Sequence, residues 1–193
     1  MDSSPPSPLP GAQAGPRRRR ALVPLTLLAL LGLLVLLMAR GLQRDPHALP
    51  SALVGQRAPA LALPPLDPGQ PPAASALLGR PWVLNVWASW CEPCTQEWPQ
   101  LQQLAAQGVA VVGLNYKDDA AAARRWLQRA GRSPFETSLQ DADGRAALDW
   151  GVSGVPETFI VDAQGVVRWR HAGALTPQVL QEQFWPLWRK FQP

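Results

Sequence analysis

The sequence predicts an α/β fold with an N-terminal transmembrane helix, and three observations carry this prediction. A dense apolar run over residues 83–87 is followed by the only two cysteines, Cys91 and Cys94, and then by a helix-compatible run from Thr95. Apolar strand-like runs and helix-like runs continue to alternate after it, which is typical of α/β domains. Near the N-terminus, residues 21–39 contain no charged side chain and are long enough to cross a hydrocarbon core.

The N-terminal part divides into three segments. Residues 1–20 are rich in Pro, Ser, Gly and Ala and end in four arginines, so we expect a disordered basic cytoplasmic tail. Residues 21–39 are expected to be an uncleaved transmembrane anchor. A cleaved signal peptide is the alternative, but the run is long for one, and residues 38–40 lack a clean small-x-small cleavage site. Residues 40–53 are expected to form a tether to a folded domain over residues 54–193.

The positive charge is concentrated in front of the predicted anchor. Residues 1–40 contain five arginines against Asp2, whereas residues 41–193 contain 13 basic and 13 acidic side chains, so the formal charge of +4 lies entirely in the N-terminal segment. This asymmetry is a topology signal that places the arginines in the cytoplasm and the domain beyond the membrane. The neutral domain gives no reason to expect a nucleic-acid partner.

The first elements of the domain surround the cysteines. Residues 60–63 are expected to form a short edge strand, and residues 66–74 a proline-rich surface loop. After the cysteines, a helix over residues 95–107, kinked at Pro99, leads into an apolar strand over residues 109–114. Together with the strand before the cysteines, these elements make a right-handed parallel βαβ unit.

The second half of the domain completes a recognisable order of elements. The remaining elements are, in order, a helix over 118–130, a short helix over 145–150, strands over 158–161 and 166–171, and a last helix over 177–190. The two strands should pair as a hairpin, and Thr176 should cap the last helix. The order β-α-β-α-β-β-α matches a thioredoxin-like fold.

The Cys-x-x-Cys pair at a strand-to-helix junction indicates a redox-active dithiol. Unpaired backbone N–H groups and the macrodipole stabilise a thiolate at a helix N-terminus, which lowers its pKa. Two intervening residues allow Cys94 to close a disulfide with Cys91. A zinc site is disfavoured, because zinc usually takes about four ligands and His47 and His171 are isolated from each other. A purely structural disulfide is the other alternative, although so small a loop constrains the unfolded chain little.

Five stretches together resemble one known family. They are LNVWASWCEPC (84–94), VVGLNYKDD (111–119), GVSGVPETF (151–159), VVRWRHAG (166–173) and residues 184–188. From about residue 54 to residue 188 the chain is similar to the membrane-anchored, thioredoxin-like thiol:disulfide interchange proteins of bacterial cytochrome c maturation, the DsbE/CcmG family. All thioredoxin relatives share the dithiol motif, whereas the runs over 115–119 and 154–159 are far more specific.

Within this pattern the two cysteines and one carboxylate take catalytic roles. We expect Cys91 to be the attacking nucleophile at the exposed start of the helix, and Cys94, more buried, to resolve the mixed disulfide. Cys94 must first lose a proton, and Glu97 follows one helical turn later near the same face. Glu97 is therefore the candidate proton acceptor. A solvated helix residue is the alternative, and the acid that the family carries at this position favours the catalytic role.

Asn85 and Glu157 bear on the same proton. Thioredoxins resemble this strand but carry a buried Asp where Asn85 stands, and an amide cannot act as a base. We therefore expect Glu97 or Glu157 to replace that base. Glu157 is also expected to place a carboxylate near the sulfurs and the bound substrate, with an exposed strand end as the alternative.

Val155 and Pro156 are expected to form the substrate-binding groove, with Trp90 beside it. A thioredoxin-like fold places a cis-proline opposite the Cys-x-x-Cys, so the resemblance implies a cis bond before Pro156 instead of the usual trans form. Val155 should pair with an extended partner peptide through main-chain hydrogen bonds. Trp90 should shield the disulfide. Other tryptophans are expected to pack in the core and not to cage a haem: Trp87, Trp126, Trp169, Trp185 and Trp188.

The residues between the cysteines should tune the redox couple. Pro93 fits the first helical turn, where its missing N–H costs nothing. Glu92 departs from the family, which more often has Pro or another uncharged residue at this position. A negative charge beside Cys91 should raise the thiolate pKa and make the protein a stronger reductant.

The resemblance implies a thiol:disulfide oxidoreductase in the bacterial inner membrane, single-pass, with its C-terminal domain in the periplasm. It would need no cofactor beyond the Cys91–Cys94 disulfide. Its expected substrate is apocytochrome c or a cytochrome c assembly protein, whose thiols must be free for haem attachment, and its expected reductant is a membrane thiol–disulfide transporter. The alternatives are a general periplasmic disulfide reductase and a non-catalytic assembly factor that holds apocytochrome.

Overall fold

The computed structural model describes residues 17–42, 52–69, 77 and 79–191. Most of the predicted tail and most of the predicted tether therefore lie outside the described residues. The chain divides after Ala48 into two units.

The described part of the first unit is the helix α1 (Arg17–Leu42), which contains Pro24. The four arginines 17–20, which were expected to belong to the tail, lie within this helix. The leucine side chains between residues 27 and 37 are exposed. Among the described residues, no helix has the length and apolar character needed to cross a membrane.

The second unit is built on a five-stranded mixed sheet in the order β3-β2-β1-β4-β5. The strands are β1 (Trp82–Trp87), β2 (Val111–Tyr116), β3 (Thr137–Asp141), β4 (Glu157–Val161) and β5 (Val167–Ala172). Strand β2 runs parallel to β1 and β3, whereas β4 runs antiparallel to β1 and β5. The central strand β1 is buried along its whole length, which explains its nearly continuous apolar sequence.

Helices and two apolar clusters complete this unit. The helices are α2 (Glu92–Gln96), α3 (Trp98–Ala106), α4 (Ala120–Ala130), α5 (Arg145–Asp149), α6 (Pro177–Val179), a π-helical segment (Leu180–Phe184) and α7 (Trp185–Trp188). Alternate residues of β1 enter different clusters. Val83 and Trp87 join the cluster that contains both cysteines, and Leu84 and Val86 join the other. The tryptophans expected in the core lie in or against the first cluster: Trp87, Trp126, Trp169, Trp185 and Trp188.

The sheet differs from the prediction at its edge. Strand β3 was not predicted, because Thr137–Asp141 contains a single large apolar residue, Leu139, and gives little period-2 signal. Residues 60–63 were predicted as a strand but form none. Prolines 59, 64 and 65 flank them and lack the N–H that a ladder needs, so only the isolated bridges at Arg57 and Pro65 form there.

The helix after the cysteines also differs from the prediction. It begins at Glu92 and is interrupted at Glu97, so two helices replace the single kinked helix expected over residues 95–107. Pro99 lies in the first turn of α3 and not in a helix interior. Because its ring would clash with the carbonyl of Thr95 in a continuous helix, the break falls between the two. This break turns Glu97 into a helix-terminal residue.

Candidate active site

Cys91 and Cys94 form a disulfide at the start of α2. Cys91 is the N-cap residue, and its Sγ accepts a hydrogen bond from the backbone N–H of Cys94 at 3.2 Å. Pro93 lies in the first turn, as predicted. The expectation of an exposed Cys91 is wrong, because its exposed fraction is 4%, against 1% for Cys94. Both sulfurs belong to an apolar cluster that includes Trp87, which explains their burial.

Glu97 lies at the break between α2 and α3 and is completely buried. Its Oε1 accepts a hydrogen bond from Nδ2 of Asn85 at 2.8 Å, and its Oε2 accepts one from the backbone N–H of Leu175 at 2.8 Å. Burial raises the pKa of Glu97 to about 7, although both hydrogen bonds act to lower it. A carboxyl group with this pKa can take up and return a proton near neutral pH. The alternative of a solvated helix residue is therefore wrong.

Asn85 holds Glu97 from the central strand. Its Nδ2 donates to Oε1 of Glu97 and, at 3.1 Å, to Oγ1 of Thr158, its neighbour in β4. Its Oδ1 is buried and has no hydrogen-bond partner among the described residues. Asn85 thus supplies an orienting donor to Glu97 and no base of its own.

Glu157 is buried as well, so the alternative of an exposed strand end is wrong. Its Oε2 accepts from Nε of Arg170 at 2.8 Å, and its Oε1 accepts from Nη2 of Arg170, from the N–H and hydroxyl of Ser153 and from the N–H of Gly154. Burial alone would raise the pKa of Glu157, but the hydrogen bonds and the charge of Arg170 outweigh it and hold the pKa below 4.5. An ionised carboxylate with five donors is unsuited to accept a proton from Cys94. Glu157 instead holds the loop that leads to Pro156.

The bond between Val155 and Pro156 is cis, in agreement with the prediction. Pro156 is buried, and the half-buried Val155 packs against the cluster that contains the cysteines. The contact of Val155 with a partner peptide stays a prediction. Trp90 is 58% exposed, and its indole N–H donates to the carbonyl of Lys117 at 3.2 Å. Its shielding of the disulfide stays a prediction.

Three partners in this region were missed from the sequence. The backbone N–H of Leu175 and the guanidinium of Arg170 hold the two buried carboxylates, and Asp118 binds the loop before Cys91. The signal for Arg170 was the presence of two arginines, Arg168 and Arg170, in the otherwise apolar run over residues 166–170, which indicates buried counter-charges. The hydrogen bond from Leu175 could not be predicted, because a backbone N–H is present in almost every residue type. Within the part of the chain that the structure describes, no group of three or more His, Cys, Asp or Glu side chains could hold a metal ion.

A mixed sheet, a Cys-x-x-Cys pair at the start of a helix and a cis-proline loop define the thioredoxin-like thiol:disulfide oxidoreductases. Comparisons with known proteins agree. The chain matches the AhpC/TSA family over residues 54–170. It is 47% identical over 179 residues to the thiol:disulfide interchange protein DsbE of Escherichia coli strain K12, covering 91% of this chain and 96% of that protein. It is 45% identical to the DsbE protein of Pseudomonas aeruginosa, over 78% of this chain and 84% of that one.

A solved structure is similar too. The structure described as a DsbE protein from Chlorobium tepidum matches with a TM-score of 0.59 at 31% identity, over 68% of this chain and 94% of that one. The chain belongs to the DsbE family of thiol:disulfide interchange proteins and is a thiol:disulfide oxidoreductase.

Replacing Glu92 with glutamine should raise the reduction potential of the Cys91–Cys94 couple. Glu92 is exposed in the first turn of α2. We expect its charge to disfavour the thiolate of Cys91 and so to favour the disulfide. We expect a shift of roughly 10–20 mV, the small effect of one solvent-screened charge. Equilibration with glutathione buffers measures the potential. The exposed Asp149→Asn variant, which also loses one negative charge, should match the wild type, and an unchanged potential in Glu92→Gln would contradict the tuning role.

Proposed function

We propose that this protein is a membrane-anchored periplasmic reductase that opens the disulfide of apocytochrome c, or of its carrier, before haem attachment. The observation that carries the proposal is the Cys91–Cys94 disulfide followed three residues later by Glu97, a fully buried carboxyl group with a pKa of about 7. Such a group suits an enzyme that must take a proton from a second, buried thiol. The choice of substrate rests on the resemblance of the motifs to cytochrome c maturation proteins and on membership of the DsbE family.

The reduced protein would act in two exchange steps. The thiolate of Cys91 attacks one sulfur of the partner's disulfide, forms a mixed disulfide and releases the other partner sulfur as a thiolate. Cys94 passes its proton to Glu97, and its thiolate attacks Sγ of Cys91, releasing the second partner thiolate. Two electrons pass to the partner, whose disulfide is reduced, and the protein is left with an oxidised Cys91–Cys94 disulfide. A membrane thiol–disulfide transporter would then reduce that disulfide and restore the dithiol.

The membrane anchor is proposed from the sequence. Residues 21–39 carry no charge and follow four arginines, the arrangement expected of an anchor with a cytoplasmic N-terminus. The side chains of residues 21–23 and 25 lie outside those described. Protease added to spheroplasts should digest the domain and spare an N-terminal fragment. A domain that stays intact until the inner membrane is opened would contradict the periplasmic location.

Replacing Cys94 with serine in the full-length protein should trap the substrate. Without the second thiol, the mixed disulfide on Cys91 cannot resolve and should accumulate in the native membrane. Non-reducing electrophoresis followed by mass spectrometry of the trapped species identifies the partner. The Cys91→Ser/Cys94→Ser double variant is the control, and it should trap nothing.

The trapped species separate the candidate functions. Apocytochrome c or a cytochrome c assembly protein as the dominant partner would support the proposal. A broad set of secreted proteins would favour a general disulfide reductase. If no partner is trapped and the Cys91→Ser variant still supports cytochrome c assembly, the result would favour the non-catalytic holding function.

A further inference from the structure

The loop before the nucleophile is tied down by a neighbouring turn. The carboxylate of Asp118 accepts the backbone N–H of Ser89 at Oδ2, 2.6 Å away, and the hydroxyl of Ser89 at Oδ1, 2.9 Å away. The next residue, Trp90, donates its indole N–H to the carbonyl of Lys117 at 3.2 Å. Two consecutive residues directly before Cys91 are therefore held by two consecutive residues after β2.

That turn is itself fixed to the sheet. Nδ2 of Asn115, a fully buried residue of β2, donates to Oδ2 of Asp118 at 2.9 Å. Nε2 of Gln140, in β3, donates to the carbonyl of Asp118 at 2.9 Å, and the N–H of Lys117 donates to the carbonyl of Asp141 at 2.9 Å. Lys117 has a φ of 44°, in the left-handed region that a residue other than glycine rarely adopts. Several hydrogen bonds thus hold the turn to the sheet, and the loop before Cys91 is in turn held by its hydrogen bonds to this turn.

We propose that Asp118 is a positioning residue for partner recognition, which fixes the loop over residues 88–91 so that Trp90 and Cys91 meet an incoming protein disulfide in one arrangement. Trp90 is 58% exposed although it is a large aromatic residue. It lies directly beside the nucleophile Cys91, where an exposed aromatic side chain can contact a bound partner. A loop held in advance loses less conformational entropy when the partner binds. The inference rests on the exchange at Cys91 proposed above and adds the residue that makes the exchange efficient with a protein substrate.

The charge of Asp118 and its hydrogen bonds can be separated by two substitutions. In Asp118→Asn, the side-chain oxygen can take the place of Oδ2 and accept from Ser89 and Asn115. The amide nitrogen can take the place of Oδ1 and donate to the hydroxyl of Ser89, which is able to accept. All three contacts survive while the charge is lost. In Asp118→Ala, both the contacts and the charge are lost.

The neighbouring residue provides a matched control. Asp119 is the N-cap of α4, and its Oδ1 accepts the backbone N–H of Ala122 at 2.8 Å. Asp119→Ala removes the same charge one residue away and weakens a helix cap, so its melting temperature should fall. Within the described part of the chain, the hydrogen bonds of Asp119 join it to Ala122 and Ala123 and do not reach the loop before Cys91.

The test compares two disulfides reacting with the reduced full-length protein in detergent. One probe is an oxidised peptide of about twenty residues that contains Cys-x-x-Cys-His, long enough to contact Trp90, and the other is a small aromatic disulfide that reports only on the thiolate. Asp118→Ala should react roughly tenfold more slowly with the peptide and within about twofold of the wild type with the small disulfide. Asp118→Asn and Asp119→Ala should stay within about threefold of the wild type with both probes.

Several results would overturn the inference. An Asp118→Ala variant that matches the wild type with the peptide would show that the contacts do not matter. An equal loss with both probes would indicate general damage to the site, and an Asp118→Asn variant as slow as Asp118→Ala would assign the effect to charge. A wild-type protein that reduces the small disulfide but not the peptide would instead refute the proposed function, so the two failures are distinguishable.

Discussion

Replacing Glu97 with glutamine should slow the closure of the Cys91–Cys94 disulfide on the order of a hundredfold at pH 7, the range that a positioned proton acceptor supplies. The amide of glutamine cannot take the proton of Cys94. Stopped-flow measurement of the decay of a pre-formed mixed disulfide isolates this step from the first attack by Cys91. That first attack should proceed at the wild-type rate.

The substitution should leave the fold intact. The new side-chain oxygen can keep the hydrogen bond from Leu175, and the new amide group then faces Asn85. Oδ1 of Asn85 is buried without a partner among the described residues, so a rotation of that amide offers the acceptor that the introduced glutamine would need. The two side chains thus remain hydrogen-bonded after the change.

The pH dependence gives a second, independent measure of Glu97. Because the acceptor must be ionised, the closure rate of the wild type should rise with pH through about 7, and the variant should lack this inflection. The pKa of Glu97 is raised from 4.5 to about 7 in the folded protein, so the folded state binds more protons than the unfolded state between these values. Stability of the wild type should therefore fall as the pH rises from 4.5 to about 7, and this fall should be absent in the variant.

The control for Glu97→Gln is the same change at Glu182, an exposed residue that accepts a hydrogen bond from Gln178 in the last helical run. Glu182→Gln should close its disulfide at the wild-type rate and keep the wild-type pH profile. If Glu97→Gln also does so, Glu97 is a structural residue, and the proton of Cys94 leaves by another path.

Replacing Glu157 with alanine should lower the free energy of unfolding by roughly 3–5 kcal/mol, the cost of leaving one member of a buried ion pair behind. The side chain of Arg170 is only 11% exposed and would lose its counter-charge, and the N–H groups of Ser153 and Gly154 would lose their acceptor. Urea denaturation of the oxidised protein measures the change. The loop before Pro156 should also loosen, so binding of the peptide disulfide should weaken.

Two comparisons test the cause of this loss. Glu136→Ala breaks the ion pair with Arg80, whose side chains are 39% and 46% exposed, and should cost at most about 1 kcal/mol. A Glu157→Ala/Arg170→Met double variant should recover part of the stability, because it leaves no buried charge unpaired. If Glu157→Ala costs no more than Glu136→Ala, the buried pair does not support the loop.

The pH dependence has the opposite sign at Glu157. Its pKa is held below 4.5, so its contribution to stability is complete above that value and is lost as the pH falls through the folded-state pKa. The wild type should therefore lose stability in acid more steeply than Glu157→Ala. The two buried carboxyl groups thus act in separate pH windows, one below 4.5 and one between 4.5 and about 7.

The sequence predicted the parts of the site that are local in the chain. The apolar strand before Cys91, the presence of helical structure directly after it and the capping role of Thr176 depend on neighbouring residues, and the structure agrees with each. The break of that helix at Glu97 was not predicted. Strand β3 forms by pairing with β2, and this pairing could not be predicted from the mostly polar residues of β3 itself. The resemblance implied the cis bond at Pro156, which no local pattern shows.

The setting of the two carboxylates could not be predicted, because it depends on distant contacts. In the sequence, Glu97 and Glu157 are the same residue type, and each lies close to a cysteine or proline motif. Only the folded chain brings the amide of Asn85 and one backbone N–H to Glu97, and a guanidinium with three further donors to Glu157. The difference between a carboxyl group with a raised pKa and one with a lowered pKa therefore arises from tertiary structure.

The hydrogen bond from Leu175 to Glu97 joins residues 78 positions apart, and this separation matters while the protein is being synthesised. A ribosome makes Cys91 and Cys94 long before Leu175, so the nascent chain carries both thiols without the amide that holds Glu97 in place. During that interval the thiols resemble those of any unfolded chain. The closure step that depends on Glu97 is thus expected only after the C-terminal part of the domain has been made, and a truncated chain that stops before Leu175 keeps both cysteines but lacks that contact.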